Sequence, residues 1–505
     1  MSILGPIVAS SPTAPLSWRR ILARSLLLLV FALYGALLAV RVVHAPTLWG
    51  DGAEYVYMVR SWYTHASPDL RPADIVRPLP FAQASAPPAS IGEVIGYFPA
   101  KNGAYFSYHF WFYSLSAVPV YALIQAVGGD PGLVLSLTNL LWLIGAFVAI
   151  GLSRALSPRR RLAFAALAGL SPVLWYLTWT GPEVQTWSCV VIALCLLVQR
   201  RYPLAALFAA FGAWQNPPLL TLAAVIAVIC CTTRDRRTIA STWLASASAL
   251  LPSAFTLVYF GTPNLIASIG MADPRLASTA RTLSLLTDFN QGLLPFVPLL
   301  LLLTLVAAAL AVARHRWEAT LVAAALVPIM LLCQSTTNWN AGCLGLIRYG
   351  VWLVPILAWL VATQIPRKRW ALAGIGLAVL VQAAIVIVPG MSTAPDRESP
   401  VARAVLAHAP ALYNPVPEIF IERSGLAEDP RSGAVSPERL GDALPITFVA
   451  DDGSVTKILS DAAGLARLSE RYQIDTTYAS RLAAEYATTP GLFYVTPPTG
   501  TVRAR

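Results

Sequence analysis

The sequence predicts an all-α polytopic membrane protein with about eleven transmembrane helices and a small C-terminal α+β domain outside the membrane. Of its 505 residues, 56% are hydrophobic and 12% charged, against roughly 45–50% and 25% in an ordinary soluble domain. Apolar runs long enough for a helix to cross a bilayer recur from Ile21 to Val388 and then stop. Short clusters of arginine and lysine separate these runs.

The basic clusters predict the orientation, because cytoplasmic loops carry an excess of lysine and arginine. Three arginines within residues 19–24 place the N-terminus in the cytoplasm, and the following run is too long for a signal-peptide core. The apolar run 110–127 is taken as interfacial or re-entrant, since counting it as a span would move the next basic cluster outside. The predicted spans are 21–43, 132–152, 162–179, 183–198, 203–213, 218–232, 238–260, 291–313, 319–333, 349–363 and 370–388.

This topology divides the chain into three parts. Residues 1–20 are a cytoplasmic N-terminus, and residues 21–390 are a transmembrane domain with a large first external loop at 44–131. Residues 391–505, called the tail here, are an extracytoplasmic soluble segment. Chemistry that requires polar side chains is therefore expected in the external loops and at the helix ends beside them.

The tail carries weaker signals. Its residue patterns predict a helix at Asp461–Tyr472 and strands at Pro445–Ala450 and Leu492–Thr496, each flanked by turn residues. We expect a small mixed domain, and its residues do not indicate a role.

Charge and cysteine usage exclude several classes of function. The net charge is +11, but the basic residues form short clusters between apolar runs rather than one face of a soluble domain. No nucleic-acid partner is therefore predicted, whereas membrane lipid is. The six cysteines lie in or beside apolar runs without CxxC spacing, which predicts neither a disulfide framework nor a zinc site.

Two carboxylates, Asp51 and Glu54, follow the first predicted span and precede a helical pattern. One interpretation is a helix start, with Asp51 as N-cap and Glu54 as the third residue of a capping box. The other is that Asp51 faces an external cleft as a general base, its pKa raised by partial desolvation. Both stay open, because a cap also fixes the direction of the side chain.

Further polar residues lie near the same predicted external surface, where they are costly and often functional. The structural alternative is helix capping for Glu183, Gln215 and Asn216. For His109 it is a histidine whose hydrogen bonds are satisfied inside the fold. These candidates are Lys101, Tyr108, His109, Glu183, Gln215 and Asn216.

A glycine-containing loop ends at Arg348 and Tyr349, where the tenth predicted span begins. It places a guanidinium on the external side, against the general charge trend. One interpretation is an arginine that snorkels to lipid headgroups. The other is a phosphate-binding group, because the rigid guanidinium fork matches phosphate oxygens.

In this order, the motifs resemble the GT-C class of polyprenyl-phosphate-sugar-dependent glycosyltransferases, which includes bacterial aminoarabinose and mannosyl transferases. The resemblance covers roughly residues 20–390. It rests on the acidic pair Asp51 and Glu54, on the stretch 105–109 that leads into the interfacial run, and on the loop ending in Arg348 and Tyr349.

The resemblance implies an inverting transfer on the extracytoplasmic side of a bacterial inner membrane. The donor would be a polyprenyl-phosphate sugar, and the acceptor an envelope glycan, lipid or protein. Asp51, with Glu54, would be catalytic by deprotonating or orienting the acceptor. The implied donor-phosphate ligands are Arg348, Lys101 and Tyr349, and the implied substrate-binding residues are Tyr108, His109, Glu183, Gln215 and Asn216.

One departure from the family concerns the segment before the interfacial run. Several relatives carry paired lysine-proline or acid-acid elements there, whereas this chain has Ser107, Tyr108 and His109. No cofactor is predicted and no metal ligand is assigned. The role of His109 and the use of a divalent metal stay open.

Two other functions fit parts of the same pattern. A lipid-linked glycan polymerase or ligase would use a similar donor but transfer a long glycan. A secondary transporter or flippase would also have many helices with polar groups at membrane depth, often in repeated halves. We find no internal repeat, and a large external loop with a soluble tail favours an interfacial enzyme.

Overall fold

The computed structural model describes residues 35–40, 42–43, 51–75, 90–337, 339–340, 342–366, 368–426 and 436–505, and it is 66% helical. Strands form only three small antiparallel sheets in these ranges. The predicted all-α class is therefore confirmed. Most of the first predicted span and the arginine cluster before it lie outside the described residues.

The described part of the first external loop folds around two helices that pack together. A buried aromatic and aliphatic cluster joins them, and the hydroxyl of Tyr97 donates to the carbonyl of Glu54 (3.0 Å). This contact ties a hairpin to the start of the first helix. The elements are α1 (Gly52–His65), α2 (Pro72–Ile75), β1 (Tyr97–Pro99), β2 (Tyr105–Ser107) and α3 (Phe112–Ala126).

A helical bundle follows, up to Ile387. In its centre, the helices Glu183–Val198 and Arg348–Gln364 are buried along nearly their whole lengths. The bundle helices are α4 (Val134–Leu152), α5 (Pro158–Gly169), α6 (Glu183–Val198), α7 (Tyr202–Gln215), α8 (Leu220–Cys230), α9 (Arg236–Ala247), α10 (Leu251–Phe260), α11 (Leu265–Ser268), α12 (Thr279–Thr287), α13 (Leu293–Phe296), α14 (Pro298–Ala313), α15 (Trp317–Ala324), α16 (Leu326–Cys333), α17 (Arg348–Gln364) and α18 (Arg369–Ile387).

Proline sets many of the helix starts. Pro158, Pro298, Pro400 and Pro417 each occupy the first turn of a helix, where the missing N–H would have no partner in any case. Prolines also begin several short 3-10 segments, so the apolar runs are divided. The segments that begin with proline are Pro131–Leu133, Pro172–Thr178, Pro217–Leu219, Pro274–Leu276 and Pro410–Leu412, and the other 3-10 segments are Ile91–Glu93, Ser248–Leu250 and Gly441–Ala443.

Fewer helices than predicted are long and apolar enough to cross a membrane. In the described part of the chain they are Pro131–Leu152, Arg236–Phe260 and Arg369–Ile387, with a fourth if α5 and Pro172–Thr178, bent by 58°, form one span. The count of eleven is therefore not confirmed. Most other apolar helices have 10–17 residues, short of the roughly 20 that a bilayer core requires.

Several peripheral helices present apolar side chains outward. Leu244 on α9 is 75% exposed, and Val258 on α10, Leu305 on α14 and Leu380 on α18 are also largely exposed. Soluble proteins rarely carry apolar surface over several neighbouring helices. The bundle is thus apolar outside as well as inside.

The tail has two small hydrophobic cores. The strands Ile446–Val449 and Phe493–Val495 confirm those predicted at 445–450 and 492–496. The segment predicted as one helix at 461–472 is helical, but it is divided at Arg467 into two short helices. The tail elements are α19 (Pro400–His408), α20 (Pro417–Arg423), α21 (Pro437–Leu440), β3 (Ile446–Val449), β4 (Val455–Ser460), α22 (Ala462–Ala466), α23 (Leu468–Arg471), β5 (Tyr472–Ile474), α24 (Thr476–Glu485), β6 (Phe493–Val495) and β7 (Val502–Ala504).

Buried polar contacts join the tail to the bundle. The guanidinium of Arg281 on α12 lies 2.7 Å from the carboxylate of Glu418 on α20, and both side chains are buried. The hydroxyl of Tyr413 donates to the carboxylate of Asp288 (2.8 Å). Because buried charges and polar groups are expensive to separate from their partners, these contacts hold the tail in a defined position.

Candidate functional site

A cavity of about 1040 Å³ lies between the bundle and the tail. Asp51 and Tyr55 line one side, and the turn 179–183 with Arg348 lines the next. The third wall is residues 390–400, which we call the strap. The cavity therefore brings together the acidic motif of the first external loop and the arginine at the start of α17, although almost 300 residues separate them in sequence.

The carboxylate of Asp51 points toward His109 and not toward its own helix. Asp51 is the N-cap residue of α1, but its side chain makes no capping hydrogen bond. Its Oδ2 atom lies 3.2 Å from His109 Nε2, and Glu54 Oε2 lies 3.7 Å from the same nitrogen. The capping-box interpretation is therefore wrong, and the two carboxylates share one imidazole.

Aromatic rings hold the imidazole in place. The ring of Tyr55 stacks on His109 with centroids 5.0 Å apart, and the ring of Tyr108 lies 4.1 Å away. The amide of Gln215 donates to the Tyr55 hydroxyl (3.3 Å) and accepts from the Tyr113 N–H (3.1 Å). His109 thus has few orientations open to it besides the one that faces Asp51.

The two carboxylates have opposite protonation behaviour. Burial tends to raise the pKa of Asp51, but the charge of His109, its hydrogen bond and the charge of Arg348 outweigh burial and lower that pKa to about 2. The pKa of Glu54 is raised to about 8, by burial first and by the charge of Asp51. The expectation that desolvation raises the pKa of Asp51 is therefore wrong. Burial raises the pKa of Glu54 instead.

The two carboxylates also differ in exposure to the cavity. The side chain of Asp51 is 42% exposed and that of Glu54 is 8% exposed. Gly96, with φ +83°, lies against Glu54 so closely that a Cβ there would overlap the carboxyl group. Only glycine readily adopts this conformation and leaves this space, so the hairpin backbone covers Glu54 while Asp51 stays open to the cavity.

We expect Glu54→Gln to stabilise the protein increasingly as pH rises. Between pH 4.5 and about 8 the folded protein keeps the Glu54 proton and the unfolded chain has lost it, so rising pH favours unfolding. At about 1.4 kcal/mol per pKa unit, the wild-type protein loses a few kcal/mol of folding free energy over this range. Glutamine does not titrate, so the variant avoids this loss. The measurement is the apparent melting temperature of both proteins across this range, in chelator.

The exposed Glu485 of the tail provides the matched control. Glu485→Gln should leave the pH dependence of melting unchanged. A melting difference between Glu54→Gln and wild type that stays flat from pH 4.5 to 8 would show that Glu54 is ionised throughout.

Arg348 faces the cavity with most of its donors unused. Among the described residues its guanidinium has one hydrogen-bond acceptor, the hydroxyl of Tyr349 (3.1 Å), and its Nε has none although it is buried. The Tyr349 hydroxyl in turn contacts Thr336 Oγ1 (3.2 Å). A fixed cation with free N–H groups at a cavity wall suits an anionic group such as phosphate.

Glu183 lies on the same wall. It begins α6, is 2% exposed, and its Oε2 atom has no hydrogen-bond partner in the described part of the chain. Buried polar atoms are rarely left unpaired in a folded protein, so each one at a cavity surface needs an explanation. The predicted role of Glu183 in binding substrate fits this position.

Of the predicted site residues, Asp51, Glu183 and Arg348 line the cavity. Four others do not line it but contact Asp51, His109 or Arg348, namely Glu54, Tyr108, His109 and Tyr349.

The remaining three predicted residues lie away from the cavity. Lys101 is exposed and packs against Gly261, away from the cavity wall, so the prediction that it shares the phosphate site with Arg348 is not supported. Gln215 donates to the Tyr55 hydroxyl, and Asn216 donates to Thr186 Oγ1 (2.6 Å). These two amides stabilise the site and do not line it, because local helix packing uses their polar groups.

The strap is the part of the site that the sequence analysis missed. Backbone contacts hold it, with the Gly345 N–H donating to the Thr393 carbonyl (2.9 Å) and the Ser399 N–H to the Asn290 side chain (2.8 Å). Its charged residues, with Arg403 and Glu422, complete the cavity wall. The available signal was a charged, proline-containing segment directly after the last apolar run.

Asp51, Glu54 and His109 are also a candidate metal site. Each offers one ligand atom, and these atoms lie within 4.8 Å of one another. Carboxylate oxygen and imidazole nitrogen are ordinary ligands of divalent cations. A cation would also favour the ionised form of Glu54, which burial and Asp51 now disfavour, so the donor set fits the divalent metal that the sequence leaves open.

Comparison with known proteins adds no relative. No protein-family model matches the chain, and neither curated proteins nor solved structures provide a match. The functional argument therefore depends on the geometry of the cavity and on the motifs in the sequence.

Proposed function

We propose that this chain is an integral membrane glycosyltransferase that moves a sugar from a polyprenyl-phosphate donor to an envelope acceptor on the extracytoplasmic side, with inversion. The observation that carries the proposal is the shared cavity of Asp51 and Arg348. It pairs an ionised carboxylate for the acceptor hydroxyl with a guanidinium for the donor phosphate.

In the proposed step, the acceptor hydroxyl oxygen forms a bond to the anomeric carbon while the bond from that carbon to the phosphate oxygen breaks. The lipid phosphate leaves with the electron pair, beside Arg348. Asp51, with a pKa of about 2, is a weak base that first orients the hydroxyl. It accepts the proton as the new bond forms, because the hydroxyl then becomes strongly acidic.

His109 keeps Asp51 in the ionised form that this step needs. Burial lowers the pKa of His109, but the charge of Asp51 and its hydrogen bond outweigh burial and raise that pKa. A protonated imidazole 3.2 Å from Asp51 holds the carboxylate and its charge in place. A divalent cation bound at this cluster would supply the same charge stabilisation.

The bundle provides the environment that a lipid donor requires. Its outward leucine and valine side chains and its three or four long apolar helices support a polytopic membrane protein. The bacterial inner membrane is part of the proposal and comes from the family resemblance. Shorter helices reach the interfaces where flanking residues snorkel or the bilayer thins. A polyprenyl chain needs apolar contacts, whereas its phosphate needs the polar cavity.

The test is transfer of labelled sugar by the purified chain in lipid vesicles. We expect transfer from a panel of polyprenyl-phosphate sugars, and none from the corresponding nucleotide sugars, because only the former combine a lipid anchor with a single phosphate. Product analysis gives the anomeric configuration and the number of sugars added.

Each outcome discriminates between the candidate functions. One added sugar of inverted configuration supports the proposal, whereas a ladder of products identifies a polymerase. Absence of turnover with every donor, together with movement of donor or substrate across the vesicle membrane, would replace the enzyme by a transporter or flippase.

A further inference from the structure

A second cavity adjoins the first across the strap. It has a volume of about 320 Å³, and four residues, Asp396, Arg397, Glu398 and Arg403, line both cavities. Its far side is formed by the tail, including Phe448 on β3. The volume is at the lower end of the roughly 300–1,000 Å³ found for ligand pockets, so a small polar unit fits there.

The surface that the two cavities share carries both hydrogen-bond donors and hydrogen-bond acceptors. Carboxylates only accept and guanidinium groups only donate, and here they alternate along one segment. The buried Oε2 atom of Glu398 has no hydrogen-bond partner among the described residues, nor has the buried Oγ1 atom of Thr393. These unpaired atoms belong to residues of the larger cavity wall, where they need a polar ligand.

Phe448 adds an apolar surface to the smaller cavity. Its side chain is partly exposed and packs against the tail core from the cavity side. A sugar ring has hydroxyl groups around its edge and apolar C–H groups on its faces. Mixed carboxylate and guanidinium groups next to one aromatic ring are the chemistry that binds such a ligand.

We infer that the strap and Phe448 form an acceptor subsite for a glycan of at least two sugar units, with one sugar in the large cavity and its neighbour in the small one, where the four shared residues form the common edge. This inference rests on the proposed function, because it names the acceptor class of the same site.

The test measures binding without turnover, so that it does not depend on transfer. The full-length Asp51→Asn protein in nanodiscs is titrated with mono-, di- and tetrasaccharides of gluco-, manno-, galacto- and arabino- series. We expect the oligosaccharides of at least one series to bind about tenfold more tightly than its monosaccharide. Phe448→Leu and Arg403→Ala should each remove most of that advantage.

Matched variants in the tail separate the subsite from general damage. Arg481→Ala removes an exposed arginine, and Leu412→Ala an exposed leucine, both away from the two cavities, and both should leave glycan affinity unchanged. Thermal melting identifies any variant that fails to fold, and Glu398→Gln gives an independent probe with nearly the same shape.

Two results would overturn the inference while leaving the proposed function intact. One is transfer of sugar by the wild-type chain to a lipid or peptide acceptor, with no glycan of the panel bound. The other is glycan binding that Phe448→Leu, Arg403→Ala and Glu398→Gln all leave unchanged. Glycan binding lost in these variants, even without transfer from any donor, supports the subsite and counts against the proposed reaction.

Discussion

Asp51→Asn should lower the rate of sugar transfer about a thousandfold while leaving donor binding nearly unchanged. The amide has the same shape but cannot accept the hydroxyl proton, and proton transfer by a positioned group contributes roughly a hundred- to ten-thousandfold. Because the Asp51 side chain makes no capping hydrogen bond, α1 does not lose a cap in this variant. The measurement is initial transfer rate in vesicles at matched protein levels.

Asp130 offers a matched control. It is also an N-cap residue, and its side chain accepts a hydrogen bond from the Gly132 N–H (2.8 Å), a bond that asparagine can make as well. Asp130→Asn should therefore keep wild-type activity. Full activity of Asp51→Asn would eliminate Asp51 as the proton acceptor.

Arg348→Ala should reduce transfer by about a hundredfold or more and weaken binding of the lipid-phosphate donor. In the proposed reaction its free N–H groups donate to the phosphate, and removing one fixed donor from a developing charge costs roughly a hundred- to a thousandfold. Arg348→Lys keeps the charge but loses the planar fork, so we expect partial recovery. The measurements are kcat and KM for donor, with donor affinity determined separately.

The control for Arg348 is Arg275, which is 90% exposed and paired with Asp273. Arg275→Ala removes a positive charge from the connection between α11 and α12 and should not change donor affinity. If Arg348→Ala bound donor as tightly as wild type, the phosphate would have another ligand and Arg348 would be structural.

The sequence analysis identified Asp51 and Arg348, the two residues on which the proposed reaction depends, and both line the cavity. Asp51 and Arg348 could be identified because a charged side chain beside a long apolar run costs free energy, and such residues are often functional. The state of Asp51 was not predictable, since its low pKa depends on His109, which a hairpin and two aromatic rings bring within 3.2 Å. A local pattern identifies a carboxylate but not its electrostatic partners.

The number of spans and the strap were missed for different reasons. Hydropathy counts each apolar run as a span, whereas several of these runs form helices of only 10–17 residues, such as Glu183–Val198 and Pro298–Ala313. The strap resembles an ordinary charged loop in sequence. Its importance comes from contacts with Asn290 and Gly345, which are far away along the chain.

Arg423 in α20 connects three distant parts of the chain at one buried point. Its guanidinium donates to the side chains of Gln291 (3.3 Å) and Cys343 (3.1 Å) and to the carbonyl of Pro395 in the strap. The first of these contacts closes a loop of 132 residues, and such long loops close late in folding.

The order of synthesis gives this contact a consequence for the newly made protein. Asp51 and Arg348 are both synthesised before Arg423, so the growing chain carries its acid and its cation while the strap is still unanchored. The cleft is completed only when the tail docks. Maturation of the site is therefore coupled to the folding of the last hundred residues or so.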